Sequence, residues 1–479
     1  MDELVRMTAC AACDALRRGE VTPADLLDAA EARIAATDGA INALPTLCFD
    51  RARAAAKALK PVAAAPPGYL HGLPVAIKDL TDVAGVRTTY GSPLFADHVP
   101  AESDPVVERL EAMGALVVAK SNTPEFGAGS NTFNEVFGVT GNPWKTDHTC
   151  GGSSGGAASA LAAGQVWLAH GSDLGGSLRI PASFCGVVGL RPSIGRVPMG
   201  RRGHLWNSLA VEGPMARTVA DTALFLDAMV APVPGAAPLA EPILADPHLR
   251  PPPDRPFLDA ALDPAPPTRA GFSPDLGIAE VDPEVAAICR AAADRLAALG
   301  THVDAACPDF SGAEDSFVAL RGQFRVTAFA ALQAEQIATM KPEIRVEMQR
   351  GLEQTPLALG HALRVRDELY RSCARFFADH DLLLCPVVVA PPFPHARRYL
   401  PYRGRDGYED YVAWLVMTFA ITLTGCPALS LPVGYTAAGL PVGLQMMAPV
   451  GGEARLLQAA AALEAELGLA GAVPIDPRG

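Results

Sequence analysis

Three short segments of the chain combine residue types that support nucleophilic catalysis. Two are rich in glycine and serine, Gly151–Gly156 (GGSSGG) and Gly171–Pro181 (GSDLGGSLRIP), and Gly72–Asp79 (GLPVAIKD) carries a lysine at the end of an apolar stretch. A serine hydroxyl is a poor nucleophile until a neighbouring base takes its proton. A lysine can be that base if burial lowers its pKa, and Ser–Lys versions of the hydrolase triad exist. The three segments together therefore predict a serine nucleophile activated by Lys78.

The glycines before Ser177 indicate how such a site would stabilise a developing negative charge. Gly175 and Gly176 carry no Cβ atom, so successive backbone N–H groups can turn toward one point. Convergent donors of this kind form an oxyanion hole, which is usually the largest single contribution to catalysis. We therefore expect an acyl-transfer reaction at this turn.

Other interpretations of the same segments fit the sequence less well. Val75–Lys78 (VAIK) matches the lysine strand of protein kinases, but no phosphate-binding glycine loop precedes it and no H-R-D or D-F-G follows. Gly152–Gly156 (GSSGG) fits G-x-S-x-G, which predicts an α/β-hydrolase-type esterase with Ser154 as nucleophile and leaves Ser177 unexplained. This second alternative stays open. The chain has no G-x-x-x-x-G-K-[ST] motif and no ligand-like pairing of histidines, so we expect no metal, nucleotide or other cofactor.

The elements around these segments predict an α/β fold. Thr22, Pro23 and Asp25 form a helix-start pattern for Ala24–Ala36, where apolar residues recur at helical spacing. Short apolar strands then alternate with helices, which is typical of buried parallel strands. We predict strands at Val75–Ile77, Leu116–Ala119, Thr301–Val303 and Leu382–Val389, and helices at Val106–Met113, Pro283–Leu299 and within Phe317–Phe377.

The composition indicates one large domain. Of the 479 residues, 49% are hydrophobic and 19% are charged, which is enough apolar surface for a large core. We predict a single α/β domain over 1–479, with a mixed, twisted β-sheet covered by helices on both faces. Its expected parts are an N-terminal helical segment (1–60), a catalytic core (61–230), a Pro-rich surface excursion (231–267) and a C-terminal part that completes the sheet and the substrate pocket (268–479).

The charge and the cysteine content restrict the partners and the compartment. A net charge of −13 argues against nucleic acid as the main ligand. The sequence begins with acidic residues and has no apolar run of the ~18–20 residues that a membrane span needs, so we expect neither a signal peptide nor a membrane partner. A chain of this length needs no disulfide scaffold for its ten scattered cysteines, which favours reduced thiols in the cytoplasm.

The three segments and their surroundings resemble the amidase signature family along nearly the whole chain. Supporting segments are Ser121–Gly127 (SNTPEFG), Phe137–Trp144 (FGVTGNPW), Phe184–Pro192 (FCGVVGLRP) and Gly439–Gln445 (GLPVGLQ). The resemblance implies the amidase signature fold and hydrolysis of an amide-type bond through an acyl-enzyme. It also implies a role for each matching residue.

The catalytic roles follow from this resemblance. Lys78 is the implied base, Ser153 the bridging serine after a cis peptide, and Ser177 the nucleophile. The implied oxyanion hole consists of the backbone amides of Leu174, Gly175, Gly176 and Ser177. The residues expected to support the site are Ser154, Ser172, Asp173 and Arg179, the last two as an ion pair under the nucleophile turn. Ser172 stands where the family commonly has threonine, and it keeps the hydroxyl.

The predicted substrate contacts come from a loop of small residues and an apolar segment. The loop Gly127–Phe133 (GAGSNTF) supplies Gly127, Ala128, Gly129 and Ser130, and the uncharged segment Val416–Thr424 (VMTFAITLT) supplies Ile421. Because an apolar pocket disfavours charged groups through their desolvation, we expect a neutral, largely apolar carboxamide, anilide or carbamate (urethane) as the small-molecule substrate. Arg201, Arg202 and His204 could face the site and favour an anion, but we expect them to form a solvated basic patch.

The chain also resembles the glutamine-hydrolysing A subunit of a tRNA-dependent amidotransferase in its length and core. Such a subunit hydrolyses glutamine only beside its partner, and its site needs a carboxylate for the α-amino group. The uncharged segment at 416–424 offers none. We therefore expect a free-standing amidase, alone or as a homodimer, with carbamate or ester hydrolysis as a side activity.

Overall fold

A large mixed β-sheet runs through the residues that the computed structural model describes, 2–60, 62, 65–199, 206–230 and 248–479. Its strands, with those of two small hairpin sheets, are β1 (Thr46–Leu47), β2 (Pro74–Lys78), β3 (Leu116–Ser121), β4 (Phe133–Asn134), β5 (Gly138–Val139), β6 (Gly141–Asn142), β7 (Lys145–Thr149), β8 (Leu168–Asp173), β9 (Val188–Arg191), β10 (Val211–Ala216), β11 (Arg269–Phe272), β12 (His302–Asp304), β13 (Leu382–Pro386), β14 (Ala428–Tyr435) and β15 (Pro441–Met447). Within the described residues, 11 strands form the large sheet in the order β1-β3-β2-β8-β10-β9-β14-β15-β13-β11-β12.

Helices cover this sheet, and the predicted single α/β domain is confirmed. They are α1 (Glu3–Arg6), α2 (Ala9–Arg18), α3 (Pro23–Ile41), α4 (Phe49–Ala58), α5 (Pro105–Ala112), α6 (Gly155–Ala162), α7 (Arg179–Cys185), α8 (Val219–Val230), α9 (Phe257–Ala261), α10 (Pro283–Ala298), α11 (Ala313–Phe329), α12 (Ala334–Thr339), α13 (Pro342–Glu353), α14 (Pro356–Phe376), α15 (Val416–Thr424) and α16 (Glu453–Leu467).

Helix α3 shows how local sequence fixes an element. The Thr22 side chain accepts from the Asp25 amide, and the Asp25 side chain accepts from the Thr22 amide at 2.8 Å. This capping box and Pro23 in the first turn start the helix where the sequence predicts. The helix continues past the predicted Ala36 to Ile41 and ends at Asn42, which adopts the left-handed conformation.

The strands that carry the predicted catalytic segments are parallel neighbours. Strand β2 pairs with β3 and with β8, and Val75 lies opposite Leu168. Because parallel strands end at the same edge of a sheet, Lys78 at the end of β2 and Asp173 at the end of β8 come to one edge. The sheet topology therefore brings two distant sequence segments to one site.

The first turn of helix α6 packs so closely on its neighbours that it requires glycine. A Cβ atom on Gly156 would lie 2.5 Å from the Ala43 carbonyl oxygen and 2.8 Å from that of Asn122. All eight residues of the helix are buried. The close approach sets the position of Ser153 and Ser154, which immediately precede the helix.

Prolines explain why one predicted helical region is split into several helices and why one predicted strand is shorter than expected. The helical region expected within Phe317–Phe377 consists of α11 to α14, because Pro342 and Pro356 start new helices. The strand expected at Leu382–Val389 ends at Pro386 for the same reason.

The Pro-rich segment predicted at 231–267 is described only from residue 248. This described part contains helix α9, whose Phe257 is 1% exposed and packs in the main core. Within the described residues, no helix is both long enough and apolar enough to cross a bilayer.

Candidate active site

Lys78 lies at the centre of a cluster of hydroxyl groups. Its side chain is fully buried, and Nζ donates to Ser153 Oγ at 2.8 Å and to Ser154 Oγ at 2.9 Å. Ser172 adds its Oγ at 3.1 Å. The structure thus brings the predicted base against the predicted bridging serine and two of the predicted supporting serines.

The surroundings of Lys78 favour its neutral form. Burial lowers the pKa of Lys78 from its ordinary 10.5 to about 7, although the negative charges of Glu212 and Asp173 act in the opposite direction. A neutral amine can accept a proton from a hydroxyl, whereas an ammonium group cannot. The environment of Lys78 therefore fits a general base at near-neutral pH.

Activity is expected to fall as the pH drops through the pKa of Lys78. Because this pKa is lowered to about 7, the neutral base is present above pH 7 and is lost as the pH falls below it. The measurement is kcat/KM toward a neutral chromogenic amide from about pH 5 to about pH 10. An acid limb with its midpoint near the pKa of Lys78 is expected, and a rate that does not vary with pH over this range would contradict a lysine base.

Ser153 is enclosed by the loop that carries Gly127. The Gly152–Ser153 peptide is cis, as the family resemblance implied, and Ser153 is 2% exposed. Gly127 has a φ of +65°, and a Cβ atom there would lie 2.9 Å from Leu80 Cδ1 and 3.2 Å from Ser153 Oγ. Only glycine fits both the backbone and the space. The first predicted substrate contact thus lies directly beside the bridging serine.

Ser177 lies in the turn between β8 and α7. It is 9% exposed, and its Oγ forms no hydrogen bond with any described residue. The Ser154 amide donates to the Ser177 carbonyl at 3.1 Å, which ties this turn to the segment that carries Ser153. A hydroxyl that is unengaged within the described residues, on a turn tied to the segment of Ser153, suits a nucleophile.

In the turn that carries Ser177, only some of the backbone amides donate hydrogen bonds within the protein. Gly176, with a φ of +125°, donates its N–H to Asp173 Oδ1 at 2.9 Å. This member of the predicted oxyanion hole is therefore engaged under the turn, because the Asp173 carboxylate caps it. The N–H groups of Leu174, Gly175 and Ser177 have no hydrogen-bond partner in the described part of the chain. These three amides are available to an oxyanion.

A buried ion cluster fixes the turn from below. Arg179 donates to both carboxylate oxygens of Asp173 at 3.0 Å, and Arg191 Nη1 lies 3.2 Å from Oδ1. Burial alone would raise the pKa of Asp173, but the two arginines hold it well below its usual range. The structure contains the predicted Asp173–Arg179 pair, and Arg191 is a further member that the sequence analysis did not single out.

Helix α15 backs the nucleophile turn. Thr418 Oγ1 donates to the Gly175 carbonyl at 2.7 Å, and the Thr418 carbonyl accepts from Arg179 at 3.0 Å. Ile421 is fully buried in an apolar cluster that includes Phe317. The substrate contact of Ile421 stays a prediction, since its described contacts are with the core.

The loop that carries Gly127 is anchored by two basic side chains that sequence reasoning missed, the buried Arg325 and the half-buried Lys341. Arg325 Nη1 donates to the Phe126 carbonyl at 3.2 Å, and Lys341 Nζ donates to the Ala128 carbonyl. Burial lowers the pKa of Lys341 to about 8. Arg325 lies on α11 and Lys341 immediately precedes α13, 199 and 213 residues after their partners, so no local pattern could have revealed these contacts.

The remaining predicted loop contacts lie beside the same site. A Cβ atom on Gly152 would lie 3.2 Å from Ser130 Cα, so Ser130 packs on the peptide before Ser153. A Cβ atom on Gly129 would lie 3.6 Å from the Tyr411 ring. Tyr411 in turn donates its hydroxyl to Glu347 at 2.6 Å, which fixes the ring against the loop.

The described contacts do not support Ser154 as the nucleophile or a basic patch that faces the site. Ser154 is fully buried, and its Oγ lies between Lys78 and the Ser172 carbonyl, where a substrate has no access. Arg201, Arg202 and His204 lie outside the described residues. Among the residues that the structure does describe, no group of three or more His, Cys, Asp or Glu side chains is arranged to hold a metal ion.

The fold and the lysine–serine cluster together define a class of enzyme. The Amidase family profile matches residues 25–457, and the chain belongs to this family. It is an amidase signature enzyme. An acylamidase from Rhodococcus erythropolis is 35% identical, over 95% of this chain and 94% of its own length. The A subunit of the glutamyl-tRNA(Gln) amidotransferase from Synechococcus sp. (strain RCC307) is 37% identical, over 93% of this chain and 94% of its own length.

Solved structures share the same fold. A 6-aminohexanoate cyclic dimer hydrolase complexed with substrate has a TM-score of 0.86 and 28% identity, and the match covers 99% of this chain and 100% of that chain. A bacterial aryl acylamidase has a TM-score of 0.88 at 24% identity, with full coverage of both chains. The second likeness concerns the fold alone. Together these comparisons confirm the predicted family and fold.

Proposed function

We propose that the chain is a free-standing amidase that hydrolyses a neutral, largely apolar carboxamide, anilide or carbamate through an acyl-enzyme on Ser177. The observation that carries this proposal is the 2.8 Å contact of buried Lys78 with Ser153 Oγ, at a lysine whose pKa is lowered to about 7. Family membership gives the class of bond. The lysine–serine contact supplies the activation that a serine nucleophile requires.

The mechanism is a proton relay coupled to acyl transfer. Ser177 Oγ attacks the carbonyl carbon and gives its proton to Ser153, which passes its own proton to neutral Lys78. The free amides of the nucleophile turn stabilise the resulting oxyanion. The C–N bond then breaks, and the leaving nitrogen takes the proton back through Ser153. A water molecule then attacks the acyl carbon and gives its proton through Ser153 to Lys78. The bond to Ser177 Oγ breaks, Ser177 takes the proton back through the same relay, and the free enzyme is restored.

The charges around the Gly127 loop favour a neutral substrate. Arg325 and Lys341 are engaged with loop carbonyls, and Arg325 Nε also donates to Glu347 at 2.8 Å. Tyr411 donates to the same carboxylate. These side chains are already engaged in hydrogen bonds within the protein, and a charged substrate group would lose its hydration on entering the site. An uncharged acyl or aryl group avoids that cost.

A second candidate is the glutamine-hydrolysing subunit of an amidotransferase, which the likeness to the Synechococcus protein favours. Glutamine hydrolysis requires a carboxylate for the α-amino group. Helix α15, which backs the nucleophile turn, carries no charged side chain, and Glu347 is occupied as described above. We therefore favour the free-standing amidase.

The purified chain alone is expected to hydrolyse a nitroanilide and an aryl carbamate and to leave free glutamine nearly untouched. Because a charged amino acid must be desolvated without compensation, kcat/KM for the aryl substrates is expected to exceed that for glutamine by about 100-fold or more. The measurement compares glutamine, an aliphatic amide, a nitroanilide and an aryl carbamate, with Ser177→Ala as the blank. Efficient glutaminase activity without turnover of the aryl substrates would favour the amidotransferase function instead.

A further inference from the structure

A buried histidine–glutamate pair on the neighbouring strands β8 and β10 has no part in the mechanism described above. His170 Nε2 is 2.8 Å from Glu212 Oε2, at an angle outside that of a linear hydrogen bond. His170 is fully buried and Glu212 is 9% exposed. A buried carboxylate with one close partner is costly to keep, so its retention in the fold calls for a physical reason.

The sheet register connects this pair to the catalytic lysine. Glu212 on β10 lies directly opposite Ser172 on antiparallel β8, and directly opposed side chains leave the same face of a sheet. His170, two residues before Ser172, lies on that face as well. Ser172 Oγ is itself 3.1 Å from Lys78 Nζ. A row of side chains therefore runs from the lysine through Ser172 to the glutamate.

The other charged groups around this row are already engaged. Helix α6, which packs on β8 and β10, carries no titratable side chain. Asp173 pairs with Arg179 and Arg191, and Asp79 pairs with Lys120. On α8, Asp221 accepts from the Cys10 amide. Asp227, on the same helix, accepts from the Phe257 and Leu258 amides. Among these described carboxylates, Glu212 has a histidine, and no lysine or arginine, as its close side-chain partner.

We propose that Glu212, held in place by His170, is a positioning residue that stabilises the protonated form of Lys78 during acylation. The inference rests on the proposed function, because it assumes that Lys78 is the base. Acylation moves a proton onto Lys78 and so creates a positive charge in a fully buried site, which is costly. A carboxylate on the far side of Ser172 offsets this cost without contacting the substrate.

The electrostatics of Lys78 agree with this geometry. Burial lowers the pKa of Lys78, and Glu212 is the charge that opposes this lowering most, ahead of Asp173. Asp173 contributes less because its charge is shared with two arginines. Removing the Glu212 charge should therefore lower the pKa of Lys78 further.

The test is the pH dependence of kcat/KM for Glu212→Gln and Glu212→Asp. The glutamine variant keeps the shape and removes the charge, so the midpoint of the acid limb is expected to fall by about 0.5–1 pH unit. The rate on the alkaline plateau is expected to drop several-fold, because Lys78 becomes a weaker base. The aspartate variant holds the charge further away, and we expect a smaller shift in the same direction.

Glu464→Gln provides the matched control. Glu464 is a half-buried carboxyl group on α16 that accepts from the Val219 amide at 2.9 Å, and desolvation raises its pKa to about 7. Its replacement is expected to leave the acid limb unchanged. An acid limb of Glu212→Gln that coincides with the wild type, or that moves to higher pH, overturns the proposal.

Two outcomes separate this inference from the proposed function. If Glu212→Gln does not fold, the aspartate variant decides alone, and an unchanged midpoint there overturns the inference. If the wild type shows no acid limb, or if Lys78→Ala keeps its activity, the proposed relay fails instead. A purely structural role for Glu212 would lower the unfolding temperature and the rate without moving the midpoint.

Discussion

Ser177→Ala is expected to abolish turnover and leave the fold intact. The substitution removes the atom that becomes acylated, and we expect kcat to fall by about 10⁴-fold or more. The Ser177 hydroxyl has no hydrogen-bond partner among the described residues, so its loss should change the unfolding temperature by no more than about 2 °C. The measurements are kcat toward a nitroanilide and the thermal midpoint of the purified variant.

Ser159→Ala is the matched control for this substitution. Ser159 is a fully buried serine of α6, and its Oγ donates to the Gly141 carbonyl at 2.8 Å. Removing this hydroxyl leaves a buried acceptor unsatisfied, so the unfolding temperature should fall while kcat stays near the wild-type value. A Ser177→Ala variant that retained more than about 1% of the activity would contradict a Ser177 acyl-enzyme.

Lys78→Ala and Ser153→Ala are each expected to lower kcat by about three to five orders of magnitude, and the double variant by little more. Lys78 Nζ and Ser153 Oγ are 2.8 Å apart and pass one proton in sequence. Once either residue is missing, the other has nothing to relay. The measurement is a double-mutant cycle on kcat at a pH above the acid limb.

Lys120→Met is the matched control for the lysine. Lys120 is also fully buried, but it donates to the Thr81 carbonyl and Thr88 Oγ1 and pairs with Asp79. Its loss should destabilise the fold without moving the acid limb of the pH profile. Strictly additive losses in the Lys78 and Ser153 cycle would show that the two residues act independently, against the relay.

The sequence was most informative where chemistry and backbone geometry coincide. Lys78 could be predicted because an apolar strand ends on it, and the glycines before Ser177 indicated a tight turn with convergent amides. The alternation of strands and helices predicted parallel neighbours, and parallel pairing brings the ends of β2 and β8 together. Patterns of this kind can be recognised in the sequence because they reflect local backbone conformation.

The residues that sequence reasoning missed act through long-range contacts. Arg325 and Lys341 contact the Gly127 loop from 199 and 213 residues further along the chain. Glu212 lies opposite Ser172 only because of the strand register. The engagement of the Gly176 amide by Asp173 depends on a side-chain conformation. No spacing in the sequence encodes these contacts, because they depend on which elements the fold makes neighbours.

The most direct test of the central claim is to locate the covalent adduct of a serine-reactive fluorophosphonate by intact-mass analysis and peptide mapping. We expect one adduct per chain, on Ser177, with labelling slowed by an aryl amide substrate and abolished in Ser177→Ala. Labelling should also slow as the pH falls below the pKa of Lys78, about 7, because the relay loses its base. An adduct on Ser154, or a Ser177 that stays unlabelled at saturating reagent, would contradict Ser177 as the nucleophile.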